Sequence, residues 1–173
     1  MGRDKSLLEW KEKPLYKHVF EEITTYCKEV FISCKKEQAD NYELPVIVDL
    51  YENIGPISGI ISSLIEIKEH PILTIPCDMP HINKVVIEAM IASYDPRLNG
   101  VFLKENNGNI EPLVAIYNPS VLPWIMEKYL EGSYSLQKFI AQLSNVRFVN
   151  ISENSLININ TPDEFINFKK YNQ

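Results

Sequence analysis

Apolar residues along the chain follow two alternating periods. Short apolar runs rich in β-branched residues predict strands, and apolar residues at helical spacing predict helices. The predicted strands are 30–34, 45–49, 72–76, 100–104, 113–117 and 146–151, and the predicted helices are 15–28, 60–68, 85–94, 121–130, 136–143 and 163–170. Strands alternate with helices and are almost continuously apolar, so we expect an α/β protein with a mostly parallel sheet covered by helices on both faces, a three-layer α/β/α sandwich.

The regular alternation is interrupted between residues 99 and 118. Two predicted strands follow one another there across the polar stretch 105–109. This pattern is typical of a hairpin, so we expect an antiparallel excursion that could build a second binding face.

Composition narrows the class of protein. The 173 residues fit one domain, 1–173, and the net charge of −6 argues against a dedicated nucleic-acid-binding protein. No apolar run approaches the roughly 20 residues of a membrane span, and no apolar signal-peptide core precedes the first helix. Three scattered cysteines are too few for a disulfide framework. We therefore expect a reduced, cytoplasmic protein that binds no nucleic acid and no membrane.

Two carboxylates stand where predicted strands end. Asp49 closes the run VIVD, and Asp78 lies in the run IPCDMP. Because ligands of parallel sheets bind at the carboxyl ends of strands, both could serve a ligand. Asp78 could hold Mg²⁺, which prefers one or two carboxylates plus phosphate oxygens. The structural alternatives are a helix cap for Asp78 and a simple turn residue for Asp49.

A lysine near the start and a glycine-containing turn are the next candidates. Lys5 could act as a mobile positive charge against phosphates, or it could simply be solvated. Gly55 belongs to the turn Gly55–Gly59 and could bring backbone close to a ligand, or it could merely allow a tight connection between strand and helix.

Two asparagines near the end of the chain share a period of two. Asn158 and Asn160 flank one isoleucine, which places both side chains on one face of an extended segment. They could hydrogen-bond a polar second substrate, or they could form a turn that leads into the last helix.

The sequence shows no order of residues typical of a general base acting on a serine or cysteine nucleophile. A reaction whose nucleophile is already a phosphate anion needs no such base. Such a reaction needs the reacting phosphates to be positioned and their negative charge to be neutralised, and a lysine and a metal ion can do both.

These segments together resemble the molybdenum cofactor guanylyltransferase family, the enzymes that attach GMP to molybdopterin. The resemblance covers nearly the whole chain in order: MGRDKSLL and KPL at the start, then GPISG, IPCDMP and ININTPDEF. It implies a Rossmann-like nucleotide-diphospho-sugar transferase fold. It also implies Mg²⁺ as cofactor, GTP and molybdopterin as substrates, and contact with molybdopterin-inserting proteins.

The resemblance assigns roles to individual residues. Asp78 would bind Mg²⁺, Lys5 the phosphates and Asp49 the nucleotide. Ser33 falls where relatives can carry an asparagine that contacts the guanosine. Asn158 and Asn160 would lie toward the molybdopterin.

The chain departs from the family pattern at its front, where the family has a first strand and a Gly-rich phosphate loop. The sheet would thereby lose a strand at or near its centre. We expect that the gene product extends upstream of Met1; a truncated paralogue is the other explanation.

Two further readings stay open. One is a sister enzyme of the same fold, such as a cytidylyltransferase or another small nucleotidyltransferase. The other is a non-catalytic accessory paralogue that keeps the fold.

Overall fold

The computed structural model describes residues 4–80, 82, 84–151 and 162–171. The strands are β1 (Glu9–Trp10), β2 (Lys13–Pro14), β3 (Ile32–Cys34), β4 (Val46–Val48), β5 (Ile72–Thr74), β6 (Gly100–Glu105), β7 (Ile110–Tyr117) and β8 (Val146–Ile151). The α-helices are α1 (Leu15–Ile23), α2 (Ile57–Ile67), α3 (Lys84–Ser93), α4 (Leu122–Leu130), α5 (Leu136–Gln142) and α6 (Pro162–Tyr171). Short 3₁₀ turns occupy Lys5–Leu7, Lys36–Asn41 and Pro119–Val121. Every predicted strand and helix is present, with ends shifted by a few residues.

Four strands form a mixed sheet in the order β5-β7-β6-β8. β7 is antiparallel to both of its neighbours, β5 and β6, and β6 pairs in parallel with β8, so β5, β6 and β8 run in one direction and β7 runs against them. The sheet that we expected to be mostly parallel is therefore a mixed one. A short turn joins β6 to β7, which makes them antiparallel, and β7 then lies between β5 and β6, so that it adds a second antiparallel pairing. The predicted antiparallel excursion at 99–118 is confirmed.

β3 and β4 form a separate parallel pair, with Ile32 opposite Val46 and Cys34 opposite Val48. β1 and β2 form a small hairpin that the hydrophobic pattern did not predict. Its turn places Lys11 and Glu12 at positive φ, and neither residue gives the Asn-Gly or Asp-Gly signal of such turns.

Side chains of the four-stranded sheet point alternately to two buried clusters. Phe102 of β6 packs in a cluster with residues of α2, α4 and α5, whereas its neighbours Val101 and Leu103 pack with residues of α3. All three of these side chains are fully buried. Since both faces of the sheet are covered, its strands can be apolar at consecutive positions, as the sequence showed.

Helix α2 follows β4 and leads into β5, and it packs against β3, β4 and β5. The helix is apolar on most of its surface, and Ile57, Ile61 and Leu64 are buried. It therefore ties the two-stranded sheet to the four-stranded sheet. None of the helices in the described part of the chain is long and apolar enough to span a membrane.

Candidate active site

Lys5 and Asp78 lie together. The Lys5 Nζ is 3.6 Å from the Asp78 Oδ2, and the two side chains are 32% and 25% exposed. Lys5 begins the first 3₁₀ turn, and Asp78 lies in the turn that follows β5. Two residues that the sequence singled out independently are thus neighbours, with opposite charges that solvent still reaches.

Asp4 fixes the turn that presents Lys5. Its Oδ1 accepts hydrogen bonds from the Ser6 backbone N–H at 3.1 Å and from the Ser6 Oγ at 2.6 Å. Its Oδ2 accepts from the Gln38 Nε2 at 2.6 Å and from the Tyr42 Oη at 3.1 Å. Partial burial by itself would raise the pKa of Asp4, but these hydrogen bonds lower it below its ordinary value. The lysine-bearing turn is therefore anchored to the segment that follows β3.

Sequence reasoning missed this anchor. An aspartate directly before a helical turn is a recognisable cap signal, and Asp4 could have been found by it. The partners Gln38 and Tyr42 are far away in the sequence, and no local pattern indicates them.

Ser33 and Asp49 form a second polar pair. The Ser33 Oγ donates to the Asp49 Oδ1 at 3.2 Å, which joins β3 to the end of β4. Burial raises the pKa of Asp49, and the hydrogen bond from Ser33 opposes this. Gly59 of α2 lies directly against the pair, because a Cβ on this glycine would come within 2.5 Å of the Ser33 Oγ. The missing side chain lets the helix approach the two polar groups.

Gly55 serves the turn before α2 in a different way. Its φ is +73°, and a Cβ at this position would have no neighbour within 4 Å. The turn requires a left-handed backbone conformation at this position, and glycine adopts that conformation at little cost. Its predicted contact with a nucleotide stays a prediction.

The two polar pairs share the carboxyl edge of the strands. Cys77, which precedes Asp78, packs in one cluster with Ile32 and Cys34 of β3. Burial raises the pKa of the Cys77 thiol to about 12, and the carboxylates of Asp78 and Asp4 add to the rise. Burial likewise raises the pKa of Cys34, with a further contribution from Asp49. The two thiols thus pack in one cluster at this edge of the strands, with a carboxylate acting on each.

The donor set around Asp78 decides what kind of cation would fit. Among the described residues, no three histidine, cysteine, aspartate or glutamate side chains converge. A cation that needs a complete cage of protein ligands does not fit this arrangement. The arrangement fits a hard divalent ion, because such an ion can take one carboxylate and complete its coordination shell with phosphate oxygens and water.

Asn158 and Asn160 lie outside the described residues. The role that the resemblance gives to the two asparagines therefore stays a prediction.

Comparisons with known proteins agree with this geometry. The family model described as MobA-like NTP transferase domain matches residues 1–146. A molybdenum cofactor guanylyltransferase of Pseudomonas entomophila is 28% identical over 170 residues, which cover 94% of this chain and 87% of that protein. A molybdenum cofactor biosynthesis bifunctional protein of Synechocystis is also 28% identical, over 95% of this chain, but the chain spans about half (49%) of its length.

A solved structure shows the same fold. Molybdopterin-guanine dinucleotide biosynthesis protein A from Archaeoglobus fulgidus superposes with a TM-score of 0.77 at 23% identity, over 98% of this chain and 91% of that one. Nucleotidyltransferases of this type generally use a divalent metal ion. The match to the family model covers most of the sequence, and the chain belongs to the MobA-like NTP transferase domain family.

Proposed function

We propose that this protein transfers GMP from GTP to molybdopterin and releases pyrophosphate. The observation that carries the proposal is the contact between Lys5 and Asp78 at the carboxyl edge of the strands. It is supported by the relatives named molybdenum cofactor guanylyltransferase, which align with more than nine-tenths of the chain.

The pairing of opposite charges suits a metal-bound triphosphate. A cation would lie beside the Asp78 carboxylate, and a phosphate would lie beside the Lys5 ammonium group. Negative and positive charges would then alternate along the site. The ammonium group is 3.6 Å from the carboxylate, a contact loose enough for Lys5 to turn toward an incoming phosphate. Each group would then exchange its present partner for a stronger one.

The reaction forms one P–O bond and breaks another. An oxygen of the terminal phosphate of molybdopterin attacks the α-phosphorus of GTP, and the bond from that phosphorus to the oxygen bridging to the β-phosphate breaks. Lys5 would stabilise the negative charge on the phosphates, since a point charge suits oxygens that change position during transfer. Asp4 would act through Lys5, because it holds the turn on which the lysine is presented.

We assign Mg²⁺ as the divalent ion and Asp78 as its protein ligand. The single carboxylate fits an ion that keeps several waters and takes its other ligands from substrate phosphates. When bound, Mg²⁺ would neutralise charge on the triphosphate.

The pair Ser33 and Asp49 would contact the nucleoside. Both side chains carry hydrogen-bonding oxygens, and the backbone of Gly59 comes close to them without a side chain in the way. Gly55 would shape the turn that leads into α2, the helix that carries Gly59. Asn158 and Asn160 would face the molybdopterin, and we place the reaction in the cytoplasm with molybdopterin-inserting proteins as recipients of the product.

Calorimetric titration of Mg²⁺-GTP into the chain tests the proposal, with Mg²⁺-CTP as the comparison. We expect GTP to bind in preference to CTP, and we expect Asp78→Asn and Lys5→Met each to weaken binding at least about tenfold, or ~1.4 kcal/mol. Lys13→Met is the matched control, because Lys13 pairs with Glu21 on the exposed surface, with 48% and 56% of their side chains accessible.

The other readings predict different results. Equal binding of CTP, or preference for it, would assign a cytidylyltransferase. An accessory protein would show no effect of Asp78→Ala on its cellular role, whereas loss of molybdoenzyme activity in cells that carry this variant would exclude that reading.

A further inference from the structure

Strand β7 contains a bulge close to the candidate site. Phe102 and Leu103 are neighbours in β6, but their partners in β7 are Ala115 and Glu111, which are four positions apart. The residues between these partners, 112–114, are therefore inserted into the pairing. Bulges occur at the rims of sheets and beside active sites, where they re-aim a side chain.

The bulge turns Glu111 to the other face of the sheet. In a regular strand Glu111 and Ala115 would share a face, because side chains alternate with a period of two. Ala115 and its partner Phe102 pack with residues of α2, α4 and α5. Glu111 instead lies opposite Leu103, whose side chain packs with residues of α3. Since directly opposed residues point to the same face, Glu111 is on the face that α3 covers.

Hydrogen bonds hold the bulge in this shape. The hydroxyl of Tyr117, a fully buried residue, donates to the Pro112 C=O at 2.8 Å. The Leu113 N–H donates to the Glu111 Oε1 at 3.2 Å. Pro112 has no N–H for a strand ladder, which suits its place in a bulge. The direction of the Glu111 side chain is thus set by fixed contacts of the bulge.

Glu111 and Asp78 lie beyond the strands at the same edge. Thr74 of β5 is opposite Ala115 of β7, and the two strands are antiparallel. Asp78 comes four residues after Thr74, and Glu111 comes four residues before Ala115. Both carboxylates therefore lie past this pair, toward the carboxyl edge. Burial raises the pKa of Glu111, and the carboxylates of Glu105 and Asp78 add to the rise, which agrees with this placement.

The Glu111 carboxylate keeps sites for further hydrogen bonds. Its side chain is half-buried, and it takes part in none of the ion pairs among the described residues. Within that part of the chain, the Leu113 N–H is its one donor. A carboxylate can accept about four hydrogen bonds, and leaving it half-buried with fewer costs free energy. A ligand that donates to Glu111 would recover that cost.

The order of the strands assigns these sites to the second substrate. Ser33 and Asp49 lie at the ends of β3 and β4, and a cavity of about 730 Å³ lies between β3 and β5. Asp78 follows β5, and Glu111 lies one strand further, on β7. In the proposed function the nucleoside is at Ser33 and Asp49, and the phosphates are at Lys5 and Asp78. A substrate whose phosphate attacks there extends away from the nucleoside, over β7.

The chemistry of the second substrate suits a carboxylate at this place. A pterin carries an amino group and a ring N–H side by side on its pyrimidine ring. A carboxylate can accept from both in two parallel hydrogen bonds, which makes the contact specific as well as strong. The phosphate end of the same substrate would be repelled by Glu111 and attracted by Lys5, so the two charges also set its orientation.

We propose that Glu111 recognises the pterin end of the acceptor substrate by accepting hydrogen bonds from its amino group and the adjacent ring N–H. Glu111 is then a specificity-determining residue, remote from the phosphorus that reacts. This inference rests on the proposed function, and it adds a residue of β7 to the groups that meet molybdopterin.

Fluorescence titration with hydroxymethylpterin monophosphate tests the proposal. The comparison ligand is the corresponding lumazine, which has a carbonyl oxygen in place of the amino group. We expect the unaltered chain to bind the pterin at least about tenfold more tightly than the lumazine, because the lumazine oxygen would face the carboxylate. Calorimetry with Mg²⁺-GTP is run on every variant.

Glu111→Gln should weaken pterin binding at least about tenfold and abolish the preference over lumazine, since the amide can donate to the lumazine oxygen. The affinity for Mg²⁺-GTP should not change. The variant keeps the shape of the side chain and removes a half-buried charge, so we expect no loss of stability in urea denaturation. Glu105→Gln is the matched control. The Glu105 Oε2 already accepts from the Asn107 and Asn109 amides, so pterin binding should stay unaltered.

Three outcomes would overturn the proposal. One is equal affinity of the unaltered chain for the two ligands, or no binding of the pterin. Another is a pterin preference that survives Glu111→Gln. The third is a loss of Mg²⁺-GTP affinity in this variant with pterin binding intact, which would assign Glu111 to the metal ion. Failure of the unaltered chain to bind Mg²⁺-GTP would instead count against the proposed function, so the two failures are distinguishable.

Discussion

The two halves of the molecule divide stability and chemistry between them. The closed half, made of β5 to β8 with α3, α4 and α5, has strands with runs of fully buried residues such as Val101–Leu103. The open half, made of residues 4–49 with β3 and β4, has strands of only two or three residues and a cavity beside β3. Lys5, Ser33 and Asp49 belong to the open half.

The difference shows where this fold can carry polar groups. A carboxylate between two helical layers would lose its hydration without compensation, so the closed half keeps apolar residues at its centre. In the open half, Asp49 and Asp4 are only partly buried and have hydrogen-bond donors within reach. The closed half therefore supplies rigidity and, at the end of β5, Asp78, whereas the open half supplies the other groups that could meet a charged ligand, Lys5, Ser33 and Asp49.

Truncation of the closed core should have the largest effect. Phe102 is fully buried and contacts the ring of Tyr117 edge-to-face, with ring centroids 5.2 Å apart. We expect Phe102→Ala to lower the free energy of unfolding by about 3–5 kcal/mol, because it leaves a cavity. Urea denaturation measures the loss.

Phe20→Ala is the comparison in the open half. This ring is half-buried and lines the cavity of about 730 Å³ beside β3, so we expect a loss of about 1 kcal/mol. Equal losses from the two variants would show that the open half is packed as tightly as the closed half.

Substitution of two glycines should give losses of unfolding free energy of intermediate size and compares the two halves further. A Cβ on Gly100 in β6 would come within 2.6 Å of the backbone oxygen of Ile116. This oxygen belongs to β7, and the pairing of β7 with β6 prevents it from moving away. We expect Gly100→Ala to cost about 2–3 kcal/mol through overpacking. A Cβ on Gly59 would meet the Ser33 Oγ, which can rotate away.

Gly59→Ala should therefore cost less than about 1 kcal/mol, because alanine also favours the helix. It should break the hydrogen bond from Ser33 to Asp49, which an NMR titration of the Asp49 carboxylate would detect. A loss for Gly59→Ala as large as that for Gly100→Ala would mean that the serine is held rigidly.

Two carboxylates of the open half should give the smallest effects, with opposite signs. The folded-state pKa of Asp4 is lowered, so its ionised form stabilises the fold above the unfolded pKa near 3.8, and this contribution is lost as pH falls through the folded pKa. The folded-state pKa of Asp49 is raised, so its ionised form destabilises the fold at neutral pH, and that cost disappears as pH falls below the folded pKa.

Thermal unfolding between pH 3 and pH 7 checks these signs. At pH 7 we expect Asp4→Asn to lower the melting temperature and Asp49→Asn to raise it. Each change should be below about 1 kcal/mol, since both groups are partly exposed. Both differences from the unaltered chain should shrink toward pH 3, and shifts of the same sign at pH 7 would contradict the assignment.

Local patterns were sufficient for the main elements. The periodicity predicted β6, β7, β8 and the helices α2 to α5 to within a few residues, because their buried faces repeat at the period of the element. The β1–β2 hairpin was missed, since Lys11 and Glu12 adopt positive φ without the residues that usually mark such a turn. The order of strands was not predicted, because the place of β7 between β5 and β6 depends on how separate segments pack.

The candidate site divides in the same way. The sequence alone placed Asp49 and Asp78 after strands and identified Lys5 as a candidate, because residue type and strand ends are local properties. Only the tertiary structure brought Lys5 to 3.6 Å from Asp78 and tied Asp4 to Gln38 and Tyr42. Contacts between such distant segments follow from burial of the whole core and from pairing of polar groups left at its edge, and no local period in the sequence records them.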